Sequence, residues 1–212
     1  DRLVDPVLLQ AVPENAERIF VEDAVHDRFV TLLEREVDKV RVGGPDEHAD
    51  MGPMTFPRQL ETVERHLRGA IAAGAKVLRG GKRLDRPGQF FAPTLITEVT
   101  TDMEIYREET FGPVAPVIRF SDADDVLAMA NDTEFGLAAY LFARDGARLW
   151  RVSAALEAGM IGVNTGLISN EVAPFGGIKQ SGIGREGSVY GIDEFMEQKY
   201  LAWAGAGEAE LG

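Results

Sequence analysis

The chain has 212 residues, with 35 acidic against 22 basic side chains, a net charge of -13, and no cysteine. So acidic a chain is repelled by nucleic acid and by anionic membrane surfaces, and no nucleic-acid or membrane partner is expected. No apolar run approaches the roughly 18 residues of a membrane helix, and without cysteine the chain itself offers no disulfide, thiolate metal site or thiol nucleophile.

Helix-period and strand-type segments alternate along the chain. Arg18 to Glu22 reads as a strand, and Ala24 to Val40 as a helix with Val25, Phe29, Leu32, Leu33 and Val37 on one face and Asp23 as its cap. A Pro- and Gly-rich loop, 43–57, leads to a second helix ending near Ala73, with Leu60, Val63, Leu67 and Ile71 inward. Ala75 to Leu78, Phe91 to Val99 and Pro113 to Phe120 read as strands. Ser121 and Asp122 offer caps for a helix through Met129. Ala138 to Ala143 is a strand, Gly146 to Ala158 a helix, and Met160 to Asn164 a buried strand. A glycine-rich stretch then runs to Tyr190, a length that in a compact domain signals function. Lys199 to Trp203 reads as a terminal strand, followed by a frayed tail. This alternation implies an α/β fold, a mostly parallel sheet covered by helices on both faces.

Individual residues say less. His26, His48 and His66 lack metal-ligand spacing, so no metal site is expected. Lys179 and Arg185 are either an anion site or partners of local acids such as Glu186 and Glu194. From spacing alone, Glu108 and Glu109 cap a turn and Phe111 is a core aromatic. Gly182 and Gly184 lie too late in the chain for a dinucleotide-binding βα turn.

Several motifs in order carry a resemblance: RIFVEDAVHDRF, MGPM (Met51 to Met54), FFAPTLI (Phe90 to Ile96), EETFGPV (Glu108 to Val114), NDTEFGLAAYLFARD (Asn131 to Asp145), and GMIGVN followed by PFGG. Together they resemble the catalytic-domain half of the aldehyde dehydrogenase family, and NTGLISNEVAPFGGIKQSGIGREGSVYG resembles its succinate-semialdehyde dehydrogenase group. The resemblance implies a catalytic-type domain over 17–197, an oligomerisation strand over 198–204, a tail over 205–212 and a divergent segment over 1–16.

It further implies NAD or NADP as cofactor. Glu109 would accept from the nicotinamide-ribose hydroxyls, and Phe111 would lie beside the nicotinamide. Ser169 would help hold a substrate's distal carboxylate, and Phe175 would line the substrate tunnel. The family's cysteine nucleophile would fall at Pro13, and its carboxylate-binding arginine near Val7. The cofactor-binding domain has no counterpart here. The expectation is therefore a truncated family member that neither binds the cofactor nor oxidises aldehydes alone. Its expected partners are further copies of itself or a complementing cofactor-domain chain. The alternative is a non-catalytic oligomerising or interaction module. A cytoplasmic location and a short covering helix within residues 1–16 complete the expectations.

Overall fold

A computed structural model describes residues 17–121 and 123–204, without the side chains of 123–125. Pro13, Val7, the covering helix expected within 1–16, the Asp122 cap and the 205–212 tail lie outside these residues.

Four strands form the main sheet: β1 (Ile19–Glu22), β2 (Lys76–Arg79), β3 (Thr94–Thr97) and β4 (Val114–Phe120), in the order β1-β4-β3-β2. β4 runs parallel to both β1 and β3, while β2 closes one edge antiparallel to β3. β3 is buried at all four positions, as a strand covered on both faces must be. Successive strand residues point to opposite faces. Leu95 accordingly packs with Val30 and Leu33 of α1 (Asp23–Val37). Its neighbour Ile96 packs with Leu60, Val63 and Leu67 of α2 (Pro57–Ala72).

Local chemistry sets the helix ends. α2 begins on a proline, whose missing N–H costs nothing in the first turn. It ends before Gly74, at φ 107, a left-handed stop that glycine adopts without strain. Asp23 does not cap α1. Glu22 holds that position with no side-chain cap bond, and the Asp23 carboxylate turns instead to Arg119 at 3.3 Å. Ile71, expected inward, is 49% exposed; the last inward position of α2 is Ala70, three residues after Leu67 rather than four.

The second half is built on two short ladders. β6 (Ala138–Leu141) and β7 (Met160–Val163) pair in parallel across the crossover helix α5 (Gly146–Ala155). Asp145 caps α5 by accepting from the Arg148 N–H at 2.7 Å. β5 (Phe135–Gly136) pairs antiparallel with β8 (Ile178–Lys179). Neither was legible in the sequence, because two-residue strands carry no periodicity.

The two halves meet at the end of α4 (Ala123–Asn131). From the sheet side, Arg18 Nη1 and the Tyr106 hydroxyl donate to the Met129 carbonyl at 3.1 and 3.0 Å. From the other, Asn131 bonds the Ala155 carbonyl and the Glu157 N–H, both at 2.9 Å. Tyr106 belongs to a single-turn helix, α3 (Glu104–Arg107), also unforeseen. Lys199 to Trp203 forms no strand within the described residues, and Tyr200, Leu201 and Trp203 are exposed. A strand needs a paired edge, and no strand of this chain is shown pairing with that segment.

Candidate functional site

The loop from Glu108 to Gly112 leaves α3 and enters β4. Its anchor is Thr110, which is buried. Three side chains hold that residue. His66 Nδ1 of α2 lies 3.0 Å from Thr110 Oγ1. Gln59 Nε2, two turns earlier on the same helix, donates to the Thr110 carbonyl. The Glu17 carboxylate, just before β1, accepts the N–H groups of Thr110 and Phe111 at 3.0 and 2.9 Å. Gly112 then passes so close to Val63 that a Cβ would strike its side chain.

With Thr110 drawn inward, its neighbours turn outward. Glu109 is exposed. Phe111 is 61% exposed and sits at φ 45. The reading of Phe111 as a core residue is thus overturned. A bulky side chain in the left-handed region is strained, and such strain persists only where surroundings enforce it. Here the Glu17 and Gln59 bonds hold the peptide that leads into Phe111. The product is a carboxylate acceptor beside an exposed aromatic face.

Burial pushes the Glu17 carboxyl above its ordinary value, against the opposing pull of the two N–H donors. Burial likewise pulls the His66 imidazole down, assisted by the Arg65 charge and opposed by Glu108.

Ser169 and Phe175 meet in a second place, an open cleft of about 330 Å³ that also includes Glu171 and Glu186. Phe175 and Glu186 exchange backbone hydrogen bonds of 2.9 and 2.7 Å, which close the base of the glycine-rich loop. Ser169 is exposed and Phe175 half-buried. The ionic groups lining the cleft, Glu171 and Glu186, are acids, so an anionic ligand would need its cation from elsewhere.

Lys179 and Arg185 are not that cation. Lys179 Nζ pairs with Glu157 at 2.5 Å and donates to the Asn131 and Thr133 carbonyls at 2.9 and 3.1 Å. Arg185 Nη1 donates to the Gly177 and Gly184 carbonyls at 2.7 and 2.9 Å. Both staple the loop. Glu17, Gln59 and His66 escaped the sequence reading because each reaches the site across 44 residues or more.

A mostly parallel sheet with helices on both faces places the chain in the α/β class. The aldehyde dehydrogenase family model matches residues 14–201, and the chain belongs to that family. It is 52% identical over 187 residues to the NADP+ succinate-semialdehyde dehydrogenase GabD of Escherichia coli K12, covering 88% of this chain and 39% of that protein. It is 49% identical over 191 residues to the 3-sulfolactaldehyde dehydrogenase of Pseudomonas putida, covering 90% and 39%. The crystal structure of a Burkholderia pseudomallei succinate-semialdehyde dehydrogenase superposes with a TM-score of 0.82 at 53% identity, over 84% of this chain and 37% of that one. The chain thus spans about two fifths of the length of the curated relatives it matches.

Proposed function

We propose that this chain forms the portion of an NAD(P)-dependent aldehyde dehydrogenase that receives the nicotinamide ribose and the aldehyde, and that it does not turn over by itself. The observation that carries the reading is the Thr110 anchor, which leaves both its chain neighbours, Glu109 and Phe111, exposed. Glu109 accepts from the ribose hydroxyls, and Phe111 packs against the nicotinamide edge. Bound NAD(P) would supply the hydride acceptor. Ser169 donates to the far end of the substrate, and Phe175 shields the cleft from water. The relatives named above act on succinate semialdehyde and 3-sulfolactaldehyde, aldehydes with a distal acid. An aldehyde of that class is therefore the proposed substrate.

Thioester chemistry needs a thiolate, and the sequence contains no cysteine. The purified chain with succinate semialdehyde and NAD or NADP should give no reduced-nicotinamide absorbance. Turnover that survives repurification would refute this. Supplying a polypeptide with a cofactor domain and a cysteine nucleophile should restore turnover, and Glu109→Gln should then lower it by roughly 10²-fold through lost positioning.

A second reading draws on the exposed apolar side chains Ile183, Phe195, Tyr200, Leu201 and Trp203. Large apolar side chains left this open suit an association surface, and the proposed partner is another copy or the complementing chain. Light scattering that shows a plain monomer would count against it. No described helix is long and apolar enough to cross a membrane; a cytoplasmic location is part of the proposal.

A further inference from the structure

Behind the Thr110 anchor, a cluster of ligating groups joins α2 to α3 and the first residue of the loop that follows it. His66 Nε2 lies 3.4 Å from a Glu108 carboxylate oxygen and 3.8 Å from one of Glu104. One ligand atom from each of the three residues fits within 4.8 Å of the others. The carboxylates alone would mean little, since exposed acids often gather without an ion.

The histidine makes the difference. Its side chain is fully buried, and Nε2 has no hydrogen-bond partner. A buried polar atom left in that state costs free energy that a ligand would recover. The other nitrogen, Nδ1, meets Thr110 Oγ1 at 3.0 Å. With the ring proton on Nδ1 donated to that oxygen, the Nε2 lone pair faces the two carboxylates. Metal-binding histidines are oriented in this way by an outer hydrogen bond.

We propose that His66 Nε2, one Glu104 oxygen and one Glu108 oxygen form a Zn²⁺ site, with a water completing the tetrahedron. Zinc with ligands at about 2.1 Å sets its ligand atoms roughly 3.4 Å apart. The 3.4 and 3.8 Å separations are near that edge length before any ion enters. One imidazole and two carboxylates suit zinc and reject soft, thiolate-seeking ions. Arg65 is the competitor: it ion-pairs with Glu104 and lies 3.5 Å from Glu108. Its side chain is 49% exposed, so it can swing into solvent as the ion enters. Zinc would tie Glu108, and with it the start of the Glu109–Phe111 loop, to α2. The site rests on side-chain geometry alone and does not depend on the proposed reaction.

The test is calorimetric titration of the chelator-stripped full chain with ZnCl₂, with Co²⁺ absorption as a geometric readout. One ion per chain and tetrahedral-type visible Co²⁺ bands are expected. The double variant Glu104→Gln/Glu108→Gln, at one part-exposed and one exposed position, should weaken zinc binding about 100-fold. Arg65→Gln, which removes the competing charge, should tighten it about tenfold. No binding below millimolar zinc overturns the proposal, as does a double variant that melts normally and binds unchanged. If the double variant fails to fold, Arg65→Gln decides: unchanged or weaker zinc affinity overturns the site.

Discussion

The Glu17 carboxylate accepts the N–H groups of Thr110 and Phe111, 93 and 94 positions further along the chain, at 3.0 and 2.9 Å. One side chain at the entry of β1 thus sets the backbone of the loop that enters β4. Because β1 and β4 are parallel neighbours in the sheet, their entry loops lie at the same end, and a single carboxylate can bridge them.

Substitutions of Glu17 should separate its bonding from its charge. Glu17→Ala leaves the buried Thr110 N–H without an acceptor and should cost about 1–3 kcal/mol. Glu17→Gln keeps an acceptor oxygen and removes the burial penalty, so it should cost less. The charge also has a pH signature. The folded carboxyl titrates above the 4.5 of the unfolded chain. Between those values the folded chain holds a proton that the unfolded chain has lost, so this contribution to stability falls as pH rises. Urea midpoints of the wild type and Glu17→Gln across that window should differ in slope; parallel curves would remove Glu17 from this role.

His66 should act in the opposite direction. Its folded imidazole titrates below the 6.5 of the unfolded chain. As pH falls below 6.5 the unfolded chain protonates first, and stability declines until the folded value is reached. His66→Gln should lose this acid-side slope whatever its effect on stability at pH 7. Paired denaturation series at pH 7 and below supply the comparison.

Leu95 is fully buried on the α1 face of β3. Leu95→Ala should destabilise the chain by about 2–5 kcal/mol through lost transfer energy and the cavity left behind. Ile71→Ala, on the exposed side of α2, should stay within about 0.5 kcal/mol. Equal losses at the two sites would contradict the packing described.

A Cβ at Gly159 would collide with the Gly176 carbonyl and come within 2.8 Å of Gly177 Cα. The atoms in the way are all backbone, with no flexible side chain to yield. Gly159→Ala should therefore cost about 1–3 kcal/mol and loosen the glycine-rich loop. Faster proteolytic cleavage between residues 165 and 190 is the expected sign, and unchanged protection would show that the contact is slack.

Periodicity located most elements, because burial on one face repeats every 3.6 residues in a helix and every two in a strand. Leu60, Val63 and Leu67 were legible for that reason, and Leu33 by the same rule. Ile71 was misplaced because the stripe shifted by one residue near the helix end, where neighbours choose between adjacent positions. The EETFGPV motif singled out Glu109 and Phe111. It could not say that Phe111 faces outward, since its exposure follows from Thr110 being drawn inward by Glu17, Gln59 and His66. In one dimension Lys179 and Arg185 read as an anion site or as partners of acids such as Glu186 and Glu194, and their carbonyl partners appear only once the loop is folded.

Residue order and residue type were enough to establish the α/β architecture, the family resemblance and the lack of a thiol nucleophile. These depend on local pattern and on composition, which are properties of the string. Folding alone brought Glu17 to Thr110, and His66 to Glu104 and Glu108. Those meetings join segments far apart in the chain, and their geometry follows from how α2, α3 and the sheet pack together, which no local pattern encodes.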